Sequence, residues 1–244
     1  MKLHRFYNKS FTESSLDIEL DDLQSNHLKR ALRLHESDEV EVFNGSGLYA
    51  NFVIKELGRT NVKLALNSKI NQSPKAPHKI SSLLPILKKD SLTFMIQKIV
   101  ELGMHEIILY KPRNIDQSVA KKDLQKIVNK LEEVVISACK QSGNNYLPKI
   151  RLFPNLEEAL NMKNAHNINI IAFDFSGKGT FLQSDISVSE QIIISGPESG
   201  FSDDELKLLN FHNVNIRLLG KNILRAETAA IVGATLLQNY LGEL

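Results

Sequence analysis

Two short stretches near the C-terminus carry the side chains most suited to chemistry. Residues 196–202 read Gly-Pro-Glu-Ser-Gly-Phe-Ser, and residues 219–228 end in Arg225, Glu227 and Thr228. Each stretch follows an apolar run typical of a strand and precedes a helical pattern. Glycine lets a backbone approach a ligand closely, and free N–H groups at a helix start can bind it. Such turns at neighbouring strand ends predict a nucleotide-like ligand site, although two ordinary strand-to-helix loops would give the same pattern.

The elements that must position these turns alternate between strand and helix from residue 80 onward. Amphipathic helices are predicted at 92–102, at 122–141 and at 226–241, and Ser202 with Glu205 forms a capping box at the start of another. This alternation predicts an α/β fold with a mostly parallel sheet and helices on both faces. The predicted strands are 80–87, 106–110, 149–153, 169–173, 191–195 and 215–219.

The first 68 residues have a different pattern, with one predicted helix at 23–34 among short alternating strands. We expect a small β-barrel-like domain at 1–68, a hydrophilic linker with two prolines at 69–79, and the α/β domain at 80–244. Asn44-Gly45 predicts a hairpin turn, so the formal match of 45–50 to a dinucleotide-binding GxGxxA pattern is rejected, because a strand follows it. The predicted strands of this domain are 3–7, 16–20, 39–44, 48–55 and 61–66.

Composition excludes several classes of protein. The 244 residues carry a net charge of only +2, one cysteine (Cys139) and no histidine spacing typical of a metal site, so we expect no disulfide and no metal. No apolar run is long enough to predict a membrane span, and a cytoplasmic protein is expected. Seven basic residues and no acidic residue lie within 57–89. This stretch could follow a phosphate backbone or could be a solvated linker.

Taken together, the two turns resemble a known signature. GPESGFSxxE followed by LGxxILRAET is similar to the RsmE family of SPOUT-class methyltransferases, which modify a uridine at N3 in 16S ribosomal RNA. Stretches at 27–33, 97–103 and 140–148 fit the same family in the same order. The resemblance implies a C-terminal trefoil knot that holds S-adenosylmethionine (SAM), a PUA-like N-terminal domain that binds RNA, and a homodimer.

The resemblance also implies roles for individual residues. Arg225 would stabilise negative charge on the uracil and Glu227 would accept its N3 proton, provided that Arg225 precedes the regular helix, since residues two apart do not share a helix face. Alternatively, Arg225 and Glu227 would only cap the helix and pair with other residues. Glu198 would face the donor's sulfonium or ribose, or would only complement the charge of the following helix. The residues expected to bind SAM are Phe173, Gly196, Pro197, Glu198, Gly200, Leu219, Gly220, Asn222, Ile223 and Leu224.

This chain departs from the family pattern mainly at residues expected to bind RNA, so the strength of its RNA binding is in question. Lys29, Arg30, Arg33, Lys88 and Lys89 are the expected RNA-binding residues, although Lys29 and Arg30 could simply lie on a solvated helix face. Arginines that many members carry are absent near Asn144 and Asn222, and Gln117 and Ser91 stand where arginine is common. Ser199 replaces a glycine of the signature, which is tolerable if its φ is negative. An inactive RNA-binding or ribosome-assembly protein with the same fold is therefore the alternative to a methyltransferase.

Overall fold

The computed structural model describes residues 3–121, 123–162, 168–186 and 190–244, which form two compact units. The first unit extends to Lys75 and also includes Cys139–Leu147; the second comprises Ala76–Ala138 and the chain from Pro148 to Leu244. The division therefore falls within the stretch expected to be a linker, and 139–147 joins the first unit although we had placed it in the second domain. Lys122, at the start of a predicted helix, lies outside the described residues.

The first unit is built on a six-stranded sheet with the order β1-β3-β4-β5-β2, in which β6 also pairs with β4. The β1–β3 pair is parallel and the other pairs are antiparallel. In the described part of the chain, no pairing joins β1 to β2, so these pairings form an open path. The predicted strands are confirmed to within two residues at each end, whereas β6 was not predicted. The strands are β1 (His4–Tyr7), β2 (Asp17–Leu20), β3 (Glu39–Phe43), β4 (Leu48–Leu57), β5 (Val62–Leu66) and β6 (Asn71–Gln72).

The predicted hairpin between β3 and β4 is confirmed, but its positive φ angles fall on Gly45 and Gly47, at 76° and 102°, and not on Asn44. Leu48 begins a strand and not a helix. The dinucleotide-binding pattern is thus correctly rejected. The predicted helix at 23–34 is instead divided into α1 (Asp22–Asn26) and a π-helical turn (His27–Leu32) that ends at Arg33 in the left-handed region, with φ of 55°.

A buried arginine joins the two chain segments of the first unit. The Arg5 guanidinium donates to Glu41 Oε1 at 2.5 Å, to the Cys139 carbonyl at 2.5 Å and to Asn145 Oδ1, and it lies 4.4 Å from the centre of the Phe43 ring. Burial raises the pKa of the Cys139 thiol to about 12, so the thiol keeps its proton and is not suited to act as a nucleophile.

The second unit contains a six-stranded, fully parallel sheet with the order β12-β10-β11-β7-β8-β9. This confirms the predicted α/β architecture. Parallel strands bring their carboxyl ends to one edge, so the turns after them meet there. The strands are β7 (Lys79–Pro85), β8 (Glu106–Tyr110), β9 (Lys149–Phe153), β10 (Asn169–Phe173), β11 (Glu190–Ser195) and β12 (Asn215–Arg217).

Helices cover both faces of this sheet. On one face, Ile192 and Ile194 of β11 pack with Leu160 of α5 and Leu209 of α6, while on the other α7 packs on β11 and β7 beside α2. The Ser202–Glu205 capping box is confirmed at the start of α6. No helix in the described ranges is both long and apolar enough to cross a membrane. The helices beyond α1 are α2 (Lys89–Glu101), α3 (Gln117–Ala120), α4 (Leu124–Ser142), α5 (Leu156–Asn161), α6 (Asp203–Phe211) and α7 (Ala226–Leu241).

We expect Arg5→Ala to lower the free energy of unfolding by about 3–5 kcal/mol, because it leaves the Glu41 carboxylate and the Cys139 carbonyl without their cationic donor. Urea unfolding followed by circular dichroism measures this change. Arg59→Ala, at an exposed arginine of the same unit, is the control and should shift stability by less than about 0.5 kcal/mol. Equal effects of the two substitutions would contradict the anchoring role of Arg5.

Candidate functional site

One cleft of the second unit brings together all ten residues that the sequence analysis assigned to the cofactor. Phe173 is the last residue of β10, and the other nine lie in the turns after β11 and β12, at the carboxyl edge of the sheet. The residues are Phe173, Gly196, Pro197, Glu198, Gly200, Leu219, Gly220, Asn222, Ile223 and Leu224. Their shared location follows from the parallel topology, since three neighbouring strands deliver their turns to the same edge.

Five further residues line the cleft without having been predicted. Asp174 and Phe175 follow β10 directly, so the rule that ligands bind beyond strand carboxyl ends would have found them. Ala226 and Ala229 are small residues in the first turns of α7, a pattern that an ordinary packed helix would also give. The full unpredicted set is Asp174, Phe175, Leu218, Ala226 and Ala229.

The turn after β11 is compact. Gly200 has φ of 74°, and its N–H donates to the Pro197 carbonyl at 2.9 Å. A Cβ on Gly196 would lie 3.2 Å from the Phe201 ring, so the glycine permits this packing. Ser199 is not among the residues with positive φ, and serine is therefore accommodated without backbone strain. Its hydroxyl donates to the Asn114 carbonyl at 3.4 Å, which links this turn to the loop after β8.

A buried tyrosine hydrogen-bonds to the residue directly before the same turn. The Tyr110 hydroxyl donates to the Ser195 carbonyl at 3.1 Å. Burial, together with the nearby negative charge of Glu205, raises the pKa of the Tyr110 phenol well above its usual value. Tyr110 thus keeps its proton and remains a donor at neutral pH.

The turn after β12 leaves its backbone polar groups available. Leu218 is fixed by hydrogen bonds from its N–H to the Gly179 carbonyl at 2.8 Å and from the Phe181 N–H to its own carbonyl at 2.9 Å. In contrast, no backbone group of residues 219–224 hydrogen-bonds to another described residue. Backbone donors and acceptors at a cleft wall can read the edge of a heterocycle, and Leu219, Ile223 and Leu224 add apolar surface.

The loop between β10 and β11 is held against β12 by an ion pair. Arg217 donates to Asp185 Oδ1 through Nε at 2.9 Å and Nη2 at 2.6 Å. This hydrogen bonding lowers the pKa of the Asp185 carboxyl. The Asp185 side chain also accepts hydrogen bonds from the Leu182 N–H and the Asn215 amide, so it stays ionised and fixes the loop.

Arg225 and Glu227 occupy the geometry that the sequence analysis required. Arg225 is the N-cap residue of α7, with extended φ and ψ of −64° and 155°, and therefore precedes the regular helix. Its side chain is exposed and makes no hydrogen bond or ion pair with any described residue. Glu227 is half-buried in the first turn of α7 and accepts a long hydrogen bond from Ser91 Oγ at 3.5 Å. Neither residue lines the cleft itself, but Leu224 and Ala226 on either side of Arg225 do.

Helix α7 reaches the cleft because it packs directly on an aromatic ring. A Cβ on Gly233 would lie 2.8 Å from Cδ2 of Phe173 and closer still to Cε2, so only glycine fits at this position. Phe173 is 6% exposed and lines the cleft, and its ring also contacts the Phe181 ring at 5.5 Å between centroids. Gly233 of α7 thus accommodates the aromatic ring of Phe173.

The five predicted RNA-binding residues are not equivalent. The Lys29 ammonium donates to the Gly58 and Arg59 carbonyls at 2.8 and 2.9 Å, and Lys88 pairs with Asp116 at 3.1 Å. Hydrogen bonds from Ser118, followed by the Lys88 interaction, lower the pKa of Asp116 to about 2. Lys29 and Lys88 therefore have structural partners. The other three, Arg30, Arg33 and Lys89, have exposed side chains and no ionic partner among the described residues. The described residues also contain no group of three metal-ligating side chains.

Comparison with known proteins places this geometry in a family. An RNA methyltransferase domain profile matches residues 74–238, and an RNA methyltransferase PUA domain profile matches residues 20–66. The chain is 31% identical to the ribosomal RNA small subunit methyltransferase E of Mesomycoplasma hyopneumoniae, covering 87% of this chain and 89% of that protein. Identity to the Rickettsia conorii protein of the same name is also 31%, over 95% of this chain and 93% of that protein.

One solved structure superposes on this chain over nearly its whole length. A Legionella pneumophila protein, solved in complex with the bound cofactor SAM, superposes with a TM-score of 0.86, covers 98% of each chain and is 25% identical. The family profile alone spans well over half of the sequence. The chain therefore belongs to the ribosomal RNA small subunit methyltransferase E family.

Proposed function

We propose that this protein transfers a methyl group from SAM to N3 of a uridine in 16S ribosomal RNA. The observation that carries the proposal is the single cleft in which all ten expected donor-binding residues meet, beside an unpaired arginine at the start of α7. The family relationship supplies the type of reaction and of RNA. Action on ribosomal RNA would locate the protein in the cytoplasm.

The cleft has the chemistry that SAM requires. When bound, SAM supplies a methyl group on a cationic sulfur. The free backbone groups of residues 219–224 would bind the adenine and ribose, and the aromatic and aliphatic walls would cover their faces. Glu198 is an exposed carboxylate that lines the cleft, suitable for the sulfonium or the ribose hydroxyls.

Arg225 has the properties needed to stabilise the uracil anion. Uracil N3 carries a proton, and its removal places negative charge on O2 and O4. A guanidinium provides several N–H donors in a fixed plane and keeps its charge at any relevant pH. Because Arg225 has no partner among the described residues, its donors are free to meet that charge.

Glu227 is the proposed proton acceptor. Its carboxylate lies in the first turn of α7, two positions after Arg225, and the Ser91 hydroxyl is its neighbour. Since Arg225 lies outside the regular helix, the two side chains can approach one uracil ring from adjacent directions. This arrangement lets one group take the proton while the other holds the charge that remains.

We further propose that the C-terminal segment forms the trefoil knot implied by the resemblance. The loop after β10 is tied to the end of β12 through Phe181 and Leu218. The same loop reaches the end of α7, where the Tyr240 hydroxyl donates to the Phe181 carbonyl at 3.3 Å and Gln183 donates to the Tyr240 carbonyl at 3.2 Å. A loop fastened on both sides of the β12-to-α7 passage supports a threaded chain.

RNA binding and dimerisation complete the proposal. Arg30, Arg33 and Lys89 would contact phosphates directly, whereas Lys29 and Lys88 would first have to leave their partners. Each phosphate contact makes the affinity fall with salt. A homodimer through α7 is consistent with its half-buried apolar Ile231, Val232 and Leu236.

The Arg225→Ala variant should lose about 10²- to 10³-fold in methyl transfer, because it removes the group that stabilises the developing anion. The measurement uses tritiated SAM and small ribosomal subunits from cells that lack this gene, followed by nucleoside separation, with label expected in 3-methyluridine. SAM affinity should change by less than about twofold, since Arg225 does not line the cleft proposed to bind SAM, called here the donor cleft. Lys207→Ala, at an exposed lysine of α6, is the control. Absence of both label and SAM binding in the wild type would contradict the enzyme and favour the RNA-binding alternative.

The Glu227→Gln variant should lose about 10²- to 10⁴-fold in kcat while SAM still binds, because the amide cannot accept the N3 proton. The loss should shrink as pH rises, since hydroxide then removes the N3 proton without help from the protein. A pH–rate profile of single-turnover methylation measures this effect, and Glu132→Gln, at an exposed glutamate of α4, serves as control. An unchanged pH profile would exclude Glu227 as the proton acceptor.

A further inference from the structure

A second cleft lies in the same unit and shares no lining residue with the donor cleft. It encloses about 560 Å³, within the range of small-molecule sites, between the turns after β8 and β9 and the start of α6. Its walls include Pro112, Pro154, Leu156 and Leu208. None of the functions proposed above uses this cleft.

The floor of the cleft is rigid. Glu205 is 6% exposed, and both of its carboxylate oxygens accept hydrogen bonds. Oε1 accepts from the Arg113 backbone N–H at 3.1 Å, and Oε2 accepts from the Ser202 N–H and hydroxyl at 2.9 Å each. The carboxylate thus joins the loop after β8 to the start of α6, and the cleft exists before any ligand binds.

The side chains around the cleft suit one nucleotide. Pro154 and Leu208 provide apolar surface, called here the slot, for the face of a base, above the buried Pro112 and Leu156, while Lys111 and Arg113 provide cations for a phosphate. Arg113 pairs with Asp204, but their side chains are 60% and 58% exposed. Exposed pairs contribute little, so the guanidinium can exchange Asp204 for a phosphate. Glu157 and Asp204 at the rim offer acceptors for a base amino group.

The position of the cleft favours a nucleotide of the substrate over an independent ligand. In the sheet order, β8 is separated from β11 only by β7, so the nearest strands of the two clefts are roughly 10 Å apart along the carboxyl edge. The loop after β8 that lines the second cleft is also hydrogen-bonded to the turn after β11, which lines the donor cleft, through the Asn114 carbonyl and the Ser199 hydroxyl. An RNA strand that presents a uridine to the donor cleft would pass this slot.

We propose that the second cleft binds a nucleotide flanking the target uridine, with its base in the slot and its phosphate on Lys111 and Arg113. This inference rests on the proposed RNA methyltransferase function. The cleft would set the register of the strand and so contribute to the choice of uridine.

The first test compares methylation kinetics of the full-length double variant Lys111→Ala/Arg113→Ala with Lys207→Ala. Lys207 also contacts Asp204, at 3.4 Å, but does not line the cleft, which makes it a matched control for loss of positive charge. The double variant should raise KM for RNA about tenfold, with kcat and SAM affinity unchanged, and Lys207→Ala should raise it less than twofold. Equal KM values for the two variants would overturn the proposal, whereas an inactive wild type would instead overturn the proposed function.

The second test locates the base. RNA substrates with single abasic positions near the target are titrated against wild type, Glu157→Trp, which fills the slot, and Glu133→Trp, at an exposed residue of α4 outside the cleft, as its control. One abasic position should weaken wild-type and Glu133→Trp binding about tenfold but leave Glu157→Trp binding unchanged, because its slot is already closed. Melting curves and SAM affinity establish that each variant is folded. The inference would be contradicted if no abasic position in the RNA weakened binding to the wild type. It would also be contradicted if a free nucleoside monophosphate bound the slot without competing with RNA.

Discussion

The contact on which the methyltransferase unit depends is the packing of α7 directly on the ring of Phe173. Gly233 leaves no space for even a methyl group between the helix and the end of β10. Interiors are packed as densely as organic crystals, so such a contact fixes the position of a helix to a fraction of an ångström. The ring in turn forms part of the donor cleft, and the contact therefore links the core to the site.

The position of α7 determines where the reacting groups lie. Its first residues reach the edge at which three parallel strands end, and Arg225, just before the helix, has extended backbone dihedrals. Arg225 lies beside the cleft without a partner among the described residues, while Glu227 is the second residue of the helix. The loop after β10 is held to β12 by the Asp185–Arg217 pair. The proposed charge stabilisation, proton removal and donor binding would thus all depend on one packing arrangement.

Sequence patterns predicted those features that depend on local chemistry. Buried apolar runs located the strands, and glycine with polar residues after them located the cleft, because parallel strands deliver such turns to one edge. Features that depend on contacts distant in sequence were not predicted. The two-residue strand β6 is too short to give a pattern, and Arg5 recruits 139–147 to the first unit through bonds that no local motif encodes. Likewise, the partners of Lys29 and Lys88 and the cleft beside Pro112 become visible only when separate loops are brought together.

The most direct test of this account is calorimetric titration of SAM into the wild type, Gly233→Ala and Gly179→Ala. A Cβ at Gly179 meets no atom within 4 Å, and its φ lies outside the strained positive range, so this variant controls for the glycine-to-alanine change itself. Overpacking typically costs about 1–3 kcal/mol, and the account predicts one SAM per chain, a Kd raised about tenfold or more by Gly233→Ala, and no change in Gly179→Ala. Recovery of affinity on adding Phe173→Leu to Gly233→Ala would assign the loss to the ring contact. Equal SAM affinity in all three folded proteins, or none in the wild type, would contradict the claim that this packing forms the donor site.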